Sequence, residues 1–287
     1  MSHDVPQDRW VSANGVRLRL RDWGGTGRTI LLLHGLASTS RIWDLTAPLL
    51  RRYAHVVAFD QRGHGESEQP ADGYDFETLV ADLRAVLGLL GAERPVVIGH
   101  SWGGNVALHY AAAYPDEPAG VVFIDGGFLE LAAIMDWPET ERELAPPALA
   151  GMPLEEFRRR LREEWMRERW SEVWETSILA NFRVEDGRIY PRLPRSLHMR
   201  ILRALWDQRP SELYERVRCP ALLLPAEMED GDADRRFYEG KCAAIARALA
   251  GMARARVHWF SDTIHDVPVQ RPQELAAIVG AWLEELA

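Results

Sequence analysis

The chain has 287 residues, of which 47% are hydrophobic and 27% charged, with a formal net charge of −9. This composition is typical of a globular protein with a large core, and the negative charge argues against nucleic-acid binding, which needs a basic face. The polar N-terminal stretch MSHDVPQDRW precedes no apolar run. We therefore expect no secretory signal, no membrane span and a cytoplasmic location.

The first part of the chain predicts strands that alternate with helices. Residues 9–23 form a predicted hairpin, because Asn14-Gly15 is a typical turn between two stretches of alternating residues. Buried strands are predicted where short apolar runs end at turn residues, over 29–35, 55–60, 95–101 and 120–127. Helices are predicted over 40–53, 76–90 and 103–115. The alternation predicts a mostly parallel sheet with helices on both faces.

The alternation stops at about residue 128 and resumes near residue 218. Between these points the charged segments 153–182 and 195–206 are typical of helices. After them come a predicted strand, helix, strand and helix, over 219–226, 237–250, 255–260 and 271–286. We therefore expect an α/β core domain formed by residues 1–127 and 218–287, with residues 128–217 inserted as a helical cap or lid.

A serine between a predicted strand and a predicted helix is the first candidate for chemistry. The stretch Gly99-His100-Ser101-Trp102-Gly103 fits G-x-S-x-G, in which a tight turn leaves the Ser101 hydroxyl exposed at the strand end. Such a nucleophile needs backbone N–H donors for the oxyanion. We expect these donors to be Trp102, directly after the serine, and Leu36, in the loop that follows the strand at 29–35.

The nucleophile also needs a base and a carboxylate that orients it. His265 lies in a loop after the predicted strand at 255–260 and before the last helix, at the same sheet edge as Ser101. In this chain order, with the serine first and the histidine last, His265 is the expected base.

Taken together, these motifs resemble the α/β-hydrolase family with a helical cap. His34-Gly35 is similar to the family's oxyanion-loop motif, and residues 60–67 (DQRGHGES) to its D-x-R-G-x-G-x-S turn. Residues 99–103 match its nucleophile elbow, and His265 lies in its histidine loop. The resemblance covers nearly the whole chain and implies a structural role for residues 60–67 beside the site.

The resemblance leaves the acid of the triad open. The family usually places it after the strand that follows the cap, in a G-x-x-D pattern, but here Ala226 replaces the glycine and Glu229 stands where the Asp should be. Other members place the acid after the strand that precedes the cap, where this chain has Asp125. We expect Asp125 to orient His265, with Glu229 and Asp230 as the alternatives.

Substrate contacts are expected from His34 and Gly35 and from the cap. The cap candidates are apolar side chains, namely Trp137, Trp165, Trp170, Trp174, Leu179, Phe182, Leu197, Leu202 and Trp206. Aromatic residues at helical spacing are also typical of the packed core of a lid, so this second interpretation stays open.

A serine with a histidine base suits acyl transfer through a covalent acyl-enzyme and needs no cofactor. The two cysteines, Cys219 and Cys242, lack metal-ligand spacing, so no metal is expected. In the family that this chain resembles, haloalkane dehalogenases and epoxide hydrolases have an Asp at the position of Ser101, so the resemblance argues against both of these activities. We expect hydrolysis of a carboxylic ester or lactone of an apolar small molecule. Two alternatives stay open: a carbon–carbon bond hydrolase, and a slow-turnover ligand receptor or signalling protein.

Overall fold

An eight-stranded, mostly parallel sheet runs through the centre of the protein. We describe it from a computed structural model over residues 5–227 and 235–286. The strands are β1 (Gln7–Ala13), β2 (Val16–Gly24), β3 (Thr29–Leu33), β4 (His55–Phe59), β5 (Val96–His100), β6 (Gly120–Ile124), β7 (Ala221–Leu224) and β8 (Ala255–Val257). Their order across the sheet is β1-β2-β4-β3-β5-β6-β7-β8. All neighbours from β4 to β8 are parallel, whereas β1–β2 and β2–β4 are antiparallel.

The strands form where the sequence predicts them, for the expected reasons. Strands β3, β5 and β6 are buried along their whole length, as apolar runs in a parallel sheet must be. Asn14 and Gly15 both have positive φ, of 49° and 76°, which is the backbone of a tight two-residue hairpin turn. The predicted hairpin and the predicted parallel sheet are therefore confirmed.

Helices cover both faces of the sheet. They are α1 (Ala47–Leu50), α2 (Phe76–Leu89), α3 (Trp102–Ala113), α4 (Trp137–Leu144), α5 (Leu154–Arg160), α6 (Glu172–Leu179), α7 (Arg195–Asp207), α8 (Arg235–Gly251), α9 (Val267–Gln270) and α10 (Pro272–Glu284). Alternate residues of β3 point to opposite faces, so that Leu31 packs in one apolar cluster with α2 and α3, and Leu32 in the other with α10. Within the described residues, no helix is long and apolar enough to cross a membrane.

The predicted helix over residues 40–53 is wrong. The chain forms a short 3₁₀ turn, Ser40–Trp43, and then the four-residue helix α1. Pro48 has no N–H to donate to residue 44, which disfavours a continuous helix through this point and suits the start of α1. The side chain of Ser40 is also tied to Asp60, at an Oγ–Oδ1 distance of 2.6 Å.

Residues 128–217 are mostly helical, as expected, but they also contain a small antiparallel sheet that the sequence analysis did not predict. Its three strands are Met152–Pro153, Phe182–Glu185 and Arg188–Pro191. Asp186-Gly187, with φ of 49° and 72°, turns between the last two. Asp-Gly is a known hairpin signal, so the strands could have been found from the sequence.

Candidate active site

Ser101 lies on a sharp turn between β5 and α3. Its φ of 52° and ψ of −125° are strained for a residue with a side chain, which costs about 1–3 kcal/mol. Glycines allow the backbones to meet here: a Cβ on Gly103 would lie 2.6 Å from the Leu33 oxygen, and one on Gly126 would lie 2.0 Å from the Ser101 oxygen. The turn has the geometry of a nucleophile elbow, which presents the hydroxyl at the carboxyl edge of the sheet.

The loop after β3 lies directly against this turn. A Cβ on Gly35 would lie 3.0 Å from the Ser101 Cβ, a tight contact that would require a small shift, so a glycine suits this close approach. Leu36 follows Gly35, and Trp102 follows Ser101. Each of them directly follows one of the two residues that approach each other here, and their part in an oxyanion hole stays a prediction.

The His34 side chain is buried directly after β3, and its expected contact with substrate stays a prediction. The side chain is fully buried with both ring nitrogens satisfied: the backbone N–H of Gln61 donates to Nε2 at 2.9 Å, and Nδ1 donates to the Gly35 oxygen at 2.8 Å. Burial lowers the pKa of His34, even though the charge of Asp60 and the bond to Gly35 raise it, so the ring is neutral. Its role is to hold the loop that carries Gly35.

His265 and Asp125 contact each other at the cavity that Ser101 also lines. His265 Nδ1 donates to Asp125 Oδ2 at 2.6 Å, across 140 residues of sequence. Asp125 directly follows β6, and its side chain is 4% exposed, whereas that of His265 is 50% exposed. Of the candidate acids, Asp125 contacts His265, while Glu229 and Asp230 lie outside the described residues.

The charges around this pair set the ionisation of both groups. Burial raises the pKa of Asp125, but the hydrogen bonds and charges of His265 and Lys241 together hold it well below its ordinary value. Burial lowers the pKa of His265, but its hydrogen bond to Asp125 and the Asp125 charge outweigh this and raise it above its ordinary value. Asp125 is therefore an anion, and His265 binds its proton more tightly than a free histidine does.

Two further residues at this site were missed by sequence reasoning. Lys241, on α8, places its ammonium 2.7 Å from Asp125 Oδ1. His100 Nε2 donates to the backbone oxygen of His265 at 2.9 Å, and burial lowers the pKa of His100 to about 4, so that it donates as a neutral ring. His100 thereby fixes the loop of the candidate base. Its place beside Ser101 in the sequence was a signal, but nothing local predicts its long-range partner.

Two cavities open under residues 128–217. Ser101, Asp125, Lys241 and His265 line one of about 360 Å³, whose remaining wall is mostly apolar and includes Leu129, Leu131, Leu144, Leu205 and Phe237. The other, of about 550 Å³, begins at Ala37, Ser38 and Thr39 and is walled by apolar residues such as Leu149, Phe157, Leu161, Trp165, Ile178 and Phe182. The cavity that Ser101 lines is thus the smaller of the two.

Most of the expected cap contacts do not line either cavity. Trp165 and Phe182 line the larger one, but Trp137, Trp170, Trp174, Leu179, Leu197, Leu202 and Trp206 line neither. Trp137 and Trp206 pack edge to face at 6.0 Å, with the Arg203 guanidinium 4.8 and 4.7 Å from their rings. Trp174 is 6% exposed and Leu179 packs with it in the core. For Trp137, Trp174, Leu179 and Trp206, the helical spacing reflects packing against other side chains, which was the alternative interpretation.

Comparisons with known proteins agree on the fold. A sequence model described as the alpha/beta hydrolase family matches residues 30–278. The chain is similar to Epoxide hydrolase A of Mycobacterium tuberculosis, at 35% identity over 150 residues, which are 51% of this chain and 43% of that protein. It is also similar to the bifunctional esterase/perhydrolase DCH of Acinetobacter calcoaceticus, at 37% identity over 110 residues, which are 38% of this chain and 40% of that protein. The chain therefore spans less than half the length of these two relatives.

The architecture is also that of solved structures. The crystal structure of E-2-(acetamidomethylene)succinate hydrolase superposes with a TM-score of 0.80, at 21% identity, and covers 97% of this chain and 99% of that one. This likeness extends over the central sheet and the inserted residues 128–217 together. At that identity it shows a shared fold.

Proposed function

Because the chain belongs to the alpha/beta hydrolase family, we propose that it is a serine hydrolase of carboxylic esters or lactones of apolar small molecules. The observation that carries this proposal is the elbow of Ser101, which opens into the same cavity as the His265–Asp125 pair. A hydroxyl, a base and an orienting carboxylate at one site are the parts that acyl transfer requires.

The reaction proceeds through an acyl-enzyme. The Ser101 hydroxyl attacks the substrate carbonyl while His265 Nε2 takes its proton, and Asp125 stabilises the resulting imidazolium through Nδ1–H. The N–H groups of Leu36 and Trp102 donate to the oxyanion. His265 then protonates the leaving alcohol, and a water molecule deprotonated by His265 releases the acid and regenerates the serine.

The serine favours acyl substrates over epoxides, although one relative is named an epoxide hydrolase. A carboxylate that opens an epoxide gives an ester, which water can cleave at its carbonyl. A serine that opened an epoxide would give an ether, which has no carbonyl for water to attack, so the enzyme could not turn over. The relative from Acinetobacter calcoaceticus is named an esterase/perhydrolase, which agrees with ester cleavage.

The cavity walls support an apolar substrate that is enclosed by residues 128–217, the proposed cap domain. Leucines and Phe237 line the cavity of Ser101, and Phe157, Trp165 and Phe182 line the second cavity. Such walls bind acyl or alcohol groups by removing apolar area from water, at about 25 cal/mol per Å². We invoke no metal and no organic cofactor, because the serine supplies the nucleophile.

A series of p-nitrophenyl esters with acyl chains of increasing length tests the proposal. We expect turnover by the wild-type protein and a loss of at least about 10³-fold in kcat for Ser101→Ala. Ser211→Ala, which removes a hydroxyl bonded to Glu130 at 2.9 Å, is the matched control and should keep wild-type rates.

A second measurement separates the nucleophile from the substrate class. A phosphonofluoridate reagent should add its mass to the Ser101 peptide in wild-type protein and not in Ser101→Ala. If the adduct forms but no ester turns over, the ester proposal fails and the serine remains the nucleophile. If ester turnover survives Ser101→Ala, the whole proposal fails.

A further inference from the structure

Lysine occurs once in this sequence, at position 241, among 34 basic residues of which the other 33 are arginine. The structure places this side chain against the candidate acid and leaves 10% of it exposed. Its ammonium donates to Asp125 Oδ1 at 2.7 Å and to the backbone oxygen of Ala226 at 2.9 Å. The one lysine therefore lies in the wall of the candidate active site.

The contacts of the Asp125 carboxylate divide between its two oxygens. Oδ1 accepts from Lys241 Nζ at 2.7 Å and from the Ala226 N–H at 3.1 Å, whereas Oδ2 accepts from His265 Nδ1 at 2.6 Å. Two donors on one oxygen fix the plane of the carboxylate and turn the other oxygen toward the histidine. Without Lys241, the side chain would keep only one of the two donors that set this orientation.

We propose that Lys241 is a positioning residue of this site, which acts through Asp125 to orient His265 and to limit the attraction of Asp125 for the His265 proton. The inference rests on the proposed serine hydrolysis. A carboxylate alone would present a full negative charge to His265. The ion pair with Lys241 is neutral overall, so His265 gives up its proton at a lower pH and is a free base over a wider range.

Other charged and titratable groups also face this pair. Asp266, next to His265, raises the pKa of the base, and Lys241 lowers it. His100, from the end of β5, is neutral, since burial lowers its pKa to about 4. On α8, the Tyr238 hydroxyl donates to Glu227 Oε1 at 2.5 Å. Lys241 is the cation that directly contacts Asp125 within the described residues.

A lysine suits this place better than an arginine. The ammonium is compact and points separate N–H groups at two oxygens, whereas the guanidinium is a larger planar fork. Replacement by the similarly long but neutral methionine removes the charge and both hydrogen bonds. Lys241→Met therefore isolates the proposed role, and Lys241→Arg keeps the charge while changing the shape.

The test is the pH profile of kcat/KM for a p-nitrophenyl ester. For Lys241→Met we expect the midpoint of the acid limb to rise by about one pH unit. We also expect kcat to fall by about 10- to 100-fold, with KM within threefold of wild type. Lys241→Arg should keep the wild-type midpoint even where its larger head group lowers kcat. Arg235→Met, which removes an exposed charge at the start of the same helix, should leave the profile unchanged.

A loss of kcat that is the same at every pH, with an unmoved midpoint, would overturn the proposal in favour of a purely structural lysine. If Lys241→Met does not fold, wild-type protein labelled with ¹³Cε-lysine decides the question, because the chain gives a single lysine side-chain signal. That signal should inflect at the same pH as the His265 ring signal, and no inflection would overturn the coupling. This titration needs no turnover, so it remains decisive if wild type hydrolyses no ester and the proposed function fails.

Discussion

Asp125→Asn is the sharpest test of how the candidate base is held. The two donors on Asp125 Oδ1, from Lys241 and the Ala226 N–H, require an acceptor at that position. The asparagine must therefore put its carbonyl oxygen there, which turns its NH₂ group toward His265 Nδ1. In the opposite orientation the asparagine NH₂ would face the Lys241 ammonium and the Ala226 N–H, and each buried donor left without an acceptor would destabilise the protein by about 1–3 kcal/mol.

The consequence of this orientation is a wrong tautomer of His265. An amide N–H that faces Nδ1 makes Nδ1 the acceptor, so the ring proton moves to Nε2, the nitrogen that must accept the proton of Ser101. Loss of the correct tautomer costs about 10⁴-fold in kcat, or about 5 kcal/mol of transition-state stabilisation. A change in KM is not expected, because the Asp125 side chain is 4% exposed and both of its oxygens already accept hydrogen bonds from the protein.

The assay is ester hydrolysis at pH 8 with matched variants of the alternative acids. Glu229→Gln and Asp230→Asn should keep kcat within threefold of wild type, and Ser101→Ala supplies the background rate. Circular dichroism checks that Asp125→Asn is folded, since Lys241 then lacks its anion. The reasoning is refuted if Asp125→Asn stays within tenfold of wild type, or if Glu229→Gln or Asp230→Asn produces the large loss instead.

Three further outcomes follow from the same geometry. Burial lowers the pKa of His265, but the hydrogen bond and charge of Asp125 raise it above its ordinary value of 6.5. We therefore expect kcat/KM to fall as the pH drops through a midpoint above 6.5, and a midpoint below that value would contradict the pairing. The Arg62–Asp82 ion pair is buried, with side chains that are 5% and 2% exposed. Asp82→Ala should therefore lower the free energy of unfolding in urea by about 3–5 kcal/mol, and a loss under about 1 kcal/mol would show that Arg62 finds another partner. Gly126→Ala places a Cβ 2.0 Å from the Ser101 backbone oxygen and should abolish activity. In the control Gly88→Ala, the added Cβ meets nothing within 4 Å, so this variant should keep its activity and melt no lower than wild type.

The sequence was sufficient for the sheet and for the elbow, because both depend on local chemistry. Apolar runs such as 29–33 and 96–100 have one stable environment, the interior of a parallel sheet, and G-x-S-x-G after such a run defines the turn without reference to distant residues. The cap contacts were less predictable. Trp137 and Trp206 have a spacing that is typical of cavity walls, but their rings pack against each other instead, and spacing alone does not distinguish the two.

The acid was ambiguous because two strand ends meet where His265 arrives. Strands β6 and β7 are neighbours, and the Asp125 N–H donates to the Leu224 oxygen at 3.0 Å, so a carboxylate after either strand starts close to the same loop. Sequence order therefore does not distinguish them. The contacts of Asp125 favour it, because a buried carboxylate is stable only with further donors. The Ala226 N–H and Lys241 supply those donors to Asp125. The single lysine of an arginine-rich chain is the sequence feature that indicates this need for a second donor.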